Sequence, residues 1–302
     1  MQNSVLPDFP NSTAVVCHDA GAANIVIANL LETGQKDWHA YMRGPAEKLW
    51  ETAFPDIALC DSLDATLENV ELLITGTGWG GDVEHEARKL ARSRDIRSVA
   101  VIDHWSNYAE RFVRHGETAW PDEFWVTDDY AMDIAKKIFP DQTVLQVSNH
   151  YLDTQLKTIA HVEKTRPPEL LYVLEPIRDD WGRDTPGEFQ ALDYFFSCLP
   201  QLGLPSGTVI RLRPHPSDAP GKYNNWVAGH STLNIKMDDS LSLAQSIGRS
   251  SWVAGCGSFA LVLALMSGRK TYGTLPPWAP ACPLPHQGLI HIRKYSLSEN
   301  EM

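Results

Sequence analysis

The amino-acid sequence predicts an α/β protein built as two doubly wound, Rossmann-like domains facing a cleft. Three observations predict it. The 302 residues suit about two domains, each half being large enough to bury its own core. Short apolar runs alternate with longer helix-like stretches, which is the pattern of βαβ units and a parallel sheet. A polar, proline-bearing break (His161, Lys164, Arg166, Pro167, Pro168) interrupts this alternation, which then restarts. The N-terminal domain is therefore placed at 1–160 and the C-terminal domain at 161–302.

The elements follow in order. In the first half, strands are predicted at 14–17, 38–42, 72–75, 98–102 and 123–126. Helices are predicted at 22–32, with Gly34 just beyond its end, and at 46–52, 82–93 and 128–138. In the second half, strands are predicted at 170–174, 208–212, 233–236, 252–255 and 270–272, and helices at 187–198, 241–247 and 259–266. The β-branched and aromatic runs identify the strands and the 3.6-residue periodicity the helices. Ligands of such sheets sit at the carboxyl ends of the strands.

Composition narrows the function classes. Apolar residues make up 43% and charged residues 21%, as in ordinary soluble domains. No apolar run reaches the length of a membrane span. Residues 1–12 lack the basic and apolar regions of a signal peptide, so the expected compartment is the cytoplasm. Five cysteines without a CxxC give neither a disulfide framework nor a zinc site. The net charge of −12 argues against non-specific nucleic-acid binding, which needs a basic face. It leaves room for an anionic substrate held by a few local donors. Oligomeric state does not follow from any of this.

Four strand-end loops carry the chemistry. The first, Cys17-His18-Asp19-Ala20-Gly21, runs into a helix through small residues that let a ligand approach. His18 and Asp19 are both general-base candidates; alternatively Asp19 only caps the helix. The second, Gly76-Thr77-Gly78-Trp79-Gly80-Gly81, is donor-rich and lacks the P-loop lysine. Gly78 and Trp79 are its candidate substrate contacts. The third delivers Asp103, His104 and Asn107 in a dense polar set that is costly in a core and common in a site. The fourth, Arg213-Pro214-His215-Pro216, is a stiff turn presenting an imidazole beside a guanidinium, which suits phosphate. Further on, Gly257 and Ser258 open a helix whose N-terminus favours an anion; a plain cap by Ser258 is the other reading.

A His-Pro after a strand, followed by a serine opening a later helix, resembles the GT-B glycosyltransferases that use CMP-activated sugars, the bacterial sialyltransferases and polysialyltransferases. Arg-Pro-His-Pro is also similar to the CDP-glycerol polymerases. The resemblance implies that His215 and Ser258 contact the donor phosphates. It also implies that the loop His18-Asp19-Ala20-Gly21 stands where those families keep an acidic pair and Gly, with Asp19 as the base.

The expected function is transfer of a sugar from a nucleotide-activated donor, CMP-sugar favoured, to a glycan or other hydroxyl acceptor, with inversion. No Asp-x-Asp triplet occurs, so no metal cofactor is expected and protein donors serve the leaving phosphate. Arg213, His215 and Ser258 would hold that phosphate, and Glu175 the donor ribose. Asp19, or else Asp103, would deprotonate the acceptor. Two alternatives stand beside this: a UDP-sugar 2-epimerase or hydrolase of the same fold, and a sugar- or nucleotide-binding accessory protein without turnover.

Overall fold

A computed structural model describes residues 9–297 apart from 11, 36, 166 and 178. The N-terminal stretch 1–8, Arg166 of the break and residues 298–302 lie outside the described residues. The chain divides into two compact units, residues 1–153 and 154–302.

The first unit runs β1 (Thr13–Cys17), α1 (Ala20–Thr33), β2 (Trp38–Met42), α2 (Pro45–Ala53), α3 (Leu63–Thr66), β3 (Leu72–Thr75), α4 (Val83–Ser93), β4 (Arg97–Val101), β5 (Val113–Arg114), β6 (Glu117–Thr118), β7 (Glu123–Val126), α5 (Asp129–Ile138), β8 (Thr143–Gln146) and α6 (His150–Ala160), the last crossing into the second unit. Six strands form one parallel sheet in the order β2-β1-β3-β4-β7-β8, and β5-β6 is a separate antiparallel hairpin. All five residues of β1 are buried, as a strand covered on both faces requires. Successive residues feed opposite faces. Val15 and Cys17 pack with Ile25, Val26, Leu30 and Trp50 of α1 and α2. Ala14 and Val16 pack with Ala87 and Ala91 of α4. Gly34 ends α1 in the left-handed region at φ 68°, where a side chain would be strained. Asp128 caps α5 by accepting the Ala131 N–H, worth about 1 kcal/mol.

The second unit runs β9 (Glu169–Val173), α7 (Gly187–Cys198), β10 (Val209–Arg213), α8 (Asn224–Gly229), β11 (Ile235–Met237), α9 (Leu243–Arg249), β12 (Trp252–Gly255), α10 (Phe259–Met266), β13 (Lys270–Gly273) and β14 (Ile290–His291). Its sheet is parallel, in the order β11-β10-β9-β12-β13-β14. Leu170, Tyr172, Ile210, Leu212 and Ala254 form its core with Leu192 and Phe195 of α7. The mixed α/β class with two parallel sheets is as the sequence predicts, and β8 and β14 raise the five strands predicted in each half to six.

The sequence pattern passes over β8, α6, α3, α8, β14 and the hairpin. Edge strand β8 alternates exposed and half-buried residues, so it shows no apolar run. Helix α6 fully buries only Ile159, so it offers no broad apolar face to read, and it ends where the predicted break begins.

Candidate active site

In each sheet the strand order reverses at one point, and a crevice for ligands opens there beyond the carboxyl ends. In the first sheet this point lies between β1 and β3. It brings together two of the predicted loops, 18–21 and 76–81. In the second it lies between β9 and β12, bringing Glu175 to the loop 256–258.

At the first reversal, His18 Nδ1 lies 2.6 Å from Asp19 Oδ1. A carboxylate can only accept here, so in the neutral ring Nδ1 carries the proton and Nε2 the lone pair. Asp19 Oδ2 accepts the Trp79 N–H at 2.7 Å, and Asp19 makes no capping bond to α1. The imidazole fits between glycines. A Cβ on Gly80 would fall 2.4 Å from His18 Cε1, and one on Gly44 2.8 Å from the same atom. Trp79 is half exposed beside this pair, with the Arg114 guanidinium 5.3 Å from its ring. The Arg114 Nη2 donates to Gly78 O at 2.7 Å.

Buried residues that the sequence did not single out hold these loops. Glu84, in the first turn of α4, accepts the His18 N–H at 3.0 Å and the Gly78 N–H at 2.7 Å. Burial pushes its pKa up against those bonds and the Arg88 charge. Arg88 donates to Thr75 Oγ1, Gly76 O and Ala119 O, and burial lowers its pKa to about 10. Arg111, 5% exposed, ties the third loop to the second, donating to Asp103 Oδ1 at 2.9 Å and to Thr77 O and Oγ1 at 3.1 Å. Asp103 Oδ2 lies so close to Gly21 that a Cβ there would be 1.8 Å away. His104 Nδ1 meets Ser106 Oγ at 3.0 Å. Asn107 is an exposed loop residue at φ 55°. Thus His18, Asp19, Gly78, Trp79 and Asp103 come together, whereas His104 bonds within its own loop to Ser106.

At the second reversal the structure gives Glu175 a partner other than the expected ribose. Its carboxylate accepts the N–H groups of Cys256, Gly257 and Ser258 at 3.1, 2.9 and 3.0 Å. A carboxylate of the chain itself thus sits where the sequence reading placed a donor anion. Burial pushes the Glu175 pKa up, and these bonds counter it. Ser258 makes no side-chain cap to α10. Gly257 lets the chain pass Pro283, whose Cδ would lie 3.0 Å from a Cβ. Arg213 is also committed: its Nη1 donates to Asp238 Oδ2 at 2.5 Å, to Ser246 Oγ at 2.9 Å and to Ser240 O at 3.2 Å.

His215 stays exposed. Its Nδ1 accepts the Ser217 N–H at 3.1 Å, which places the proton of the neutral ring on Nε2. Its own N–H donates to Asp218 Oδ2 at 2.9 Å. Asp218 is held by Lys222 and Tyr223, and Lys222 by Glu188. Desolvation lowers the His215 pKa, and the Asp218 charge opposes it. Among the described residues, no group of three or more His, Cys, Asp or Glu side chains is arranged to hold a metal ion.

Neither a protein-family model nor a curated protein matches this sequence. Solved structures match the fold. The UDP-GlcNAc 2-epimerase from Neisseria meningitidis bound to UDP-GlcNAc superposes with a TM-score of 0.59 at 10% identity, over 90% of this chain and 84% of that one. A putative UDP-N-acetylglucosamine 2-epimerase from Listeria monocytogenes gives 0.54 at 15% identity, over 86% and 78%. The glycotransferase of kitacinnamycin gives 0.50 at 13% identity, over 91% and 83%. The fold is of the GT-B type, shared by glycosyltransferases and epimerases, and at these identities the likeness is one of fold. No helix among the described residues is long and apolar enough to cross a membrane.

Proposed function

We propose that this protein is a glycosyltransferase that moves a sugar from a nucleotide-activated donor to a hydroxyl acceptor, with His18 as general base. The observation that carries this reading is the 2.6 Å contact between His18 Nδ1 and Asp19 Oδ1. It fixes the ring and its tautomer and leaves Nε2 as the proton acceptor. Asp19, the base expected from sequence, becomes the group that orients the base. Asp103 is the weaker candidate because its Oδ1 is spent on Arg111.

In this mechanism His18 Nε2 takes the proton of the acceptor hydroxyl. The acceptor oxygen attacks the anomeric carbon as the bond to the donor phosphate oxygen breaks, its electron pair leaving on the phosphate. The attack inverts the anomeric centre. The exposed Nε2–H of His215 is suited to meet the growing phosphate charge. The favoured donor class is a CMP-activated sugar, on the resemblance carried by His215-Pro216 and Ser258. The favoured acceptor is a glycan.

One observation favours a second reading. Asp19, Asp103 and Glu84 gather three carboxylates around the first reversal point, and an epimerase or hydrolase of UDP-sugars needs several around its sugar. Product analysis with CMP- and UDP-sugars separates the two. Transfer only when acceptor is present, with His18→Ala lowering turnover roughly 100-fold or more while donor binding persists, supports the transferase. A 2-epimer or free UDP formed without acceptor overturns it.

A further inference from the structure

The second unit carries a cavity of about 400 Å3 lined by Arg183, Thr185, Gln190, Asp193, Ser197 and Trp278, a volume suited to a small ligand. Its walls are the loop after β9, the loop after β13 and α7. None of these residues belongs to the constellation described above. We infer that this cavity binds a sugar bearing a single oxyanion, a carboxylate or a phosphate, held by Arg183 lying on Trp278.

The Arg183 Cζ lies 3.8 Å from the centre of the Trp278 ring. Stacking at that distance backs one face of the guanidinium with indole and leaves its N–H edges for an acceptor. No hydrogen bond or ion pair takes up those donors among the described residues. The other described arginines of this unit differ. Arg211, Arg213 and Arg249 are paired with Glu169, Asp238 and Asp239. Arg269 and Arg293 donate to backbone carbonyls. A planar fork with free edges is the geometry that grips a carboxylate or phosphate with two parallel bonds.

A buried amide builds the platform. Gln190, 7% exposed, accepts the Trp278 Nε1–H at 2.7 Å. Its Nε2 donates to Thr185 O at 2.6 Å and to Asp180 O. One side chain therefore fixes both the stacking ring and the loop that carries Arg183. That loop holds Trp181 and Asp184 at φ 48° and 54°, a costly backbone for non-glycine residues.

Asp193 decides between classes of anion. Its Oδ1 accepts the Trp226 N–H at 2.6 Å, and Oδ2 accepts nothing among the described residues. A carboxylate lining the same cavity as Arg183 repels a ligand that is anionic throughout and accepts from hydroxyls. A sugar with one charged group and several hydroxyls satisfies both residues. The Tyr194 ring, 5.6 Å from Trp278 and edge-on to it, adds an aromatic wall against which pyranose C–H groups pack.

The inference rests on loops of one unit and does not depend on the transfer reading. The test is a titration of the 15N-labelled full chain with D-glucuronate, glucose 6-phosphate, glucose and inorganic phosphate. The indole N–H resonance of Trp278 is followed, assigned as the one lost in Trp278→Phe. The expected result is a saturable shift with glucuronate or glucose 6-phosphate, with glucose on the order of tenfold weaker. The stronger of the two acids names the oxyanion. Arg183→Ala should weaken binding about tenfold, Arg183→Lys should not restore it, and His215→Ala should leave it unchanged. Glucose binding as tightly as the acids, inorganic phosphate binding as tightly as glucose 6-phosphate, an unaffected Arg183→Ala, or no movement of the Trp278 resonance would each overturn the inference.

Discussion

Glu84 and Glu175 do the same work in different units. Each is a carboxylate that reaches from one element to the backbone N–H groups of the loop at a reversal point. Neither partner can be read from sequence, because a glutamate near a strand end can as easily face a ligand as the chain's own backbone. His215 and Ser258 stand out in the sequence because prolines and a helix start mark them. Arg213 was legible as a residue but not as a pair, since Asp238 lies 25 positions on. That pair gives a direct prediction. The Asp238 side chain is fully buried. Burial works to raise its pKa, but bonds from Ser246, Arg213 and Ser240 outweigh it and hold the pKa below the ordinary carboxylate range. Arg213→Ala leaves a buried carboxylate without its counter-charge, which should cost about 3–5 kcal/mol in urea unfolding. A loss below about 1 kcal/mol would mean that the two serines suffice.

The glycine loop after β3 shows what an element adds to its residues. Four glycines in six positions announce a loop that something approaches closely. What they do not announce is that the approaching groups are His18 and Asp19 of the same unit. Gly78 passes within 2.5 Å of Asp19 Cγ, measured from a Cβ position, and Gly80 passes closest to the imidazole. Gly80→Ala should therefore displace His18 from Asp19. A shift near 1 Å at the reacting group costs about 100-fold in kcat. On the proposed contact of the donor phosphate with His215, donor affinity should hold, because the substitution acts on the His18 ring. The same substitution in a His18→Ala background should cost nothing more, since the ring it disturbs is gone. Equal losses in both backgrounds would show that Gly80 acts through loop folding instead.

At the scale of the molecule, the alternation of apolar runs and helical stretches was enough for two parallel sheets. Most central strands were legible within a residue or two, because burial on both faces leaves continuous apolar runs. Strand order was not, because it depends on crossovers and packing that no local pattern encodes. Global stability should respond to pH through groups whose pKa the fold shifts. His85 is 3% exposed with neither ring nitrogen hydrogen-bonded. Burial lowers its pKa from 6.5, with Arg88 adding to the effect and Glu86 opposing it. Desolvation likewise lowers His215 and His291. Between each lowered value and 6.5 the unfolded chain binds more protons than the fold, so stability falls as pH falls through that window. Glu84 and Glu175 act with the opposite sign: their raised values make stability fall as pH rises above 4.5. The wild-type curve is the sum, so the readout is a difference. His85→Leu removes a group that takes up its proton more readily in the unfolded state. Its urea midpoint should therefore fall less than that of the wild type between pH 7.5 and pH 5.5. Parallel curves for the two proteins would show that the buried His85 ring titrates alike in both states.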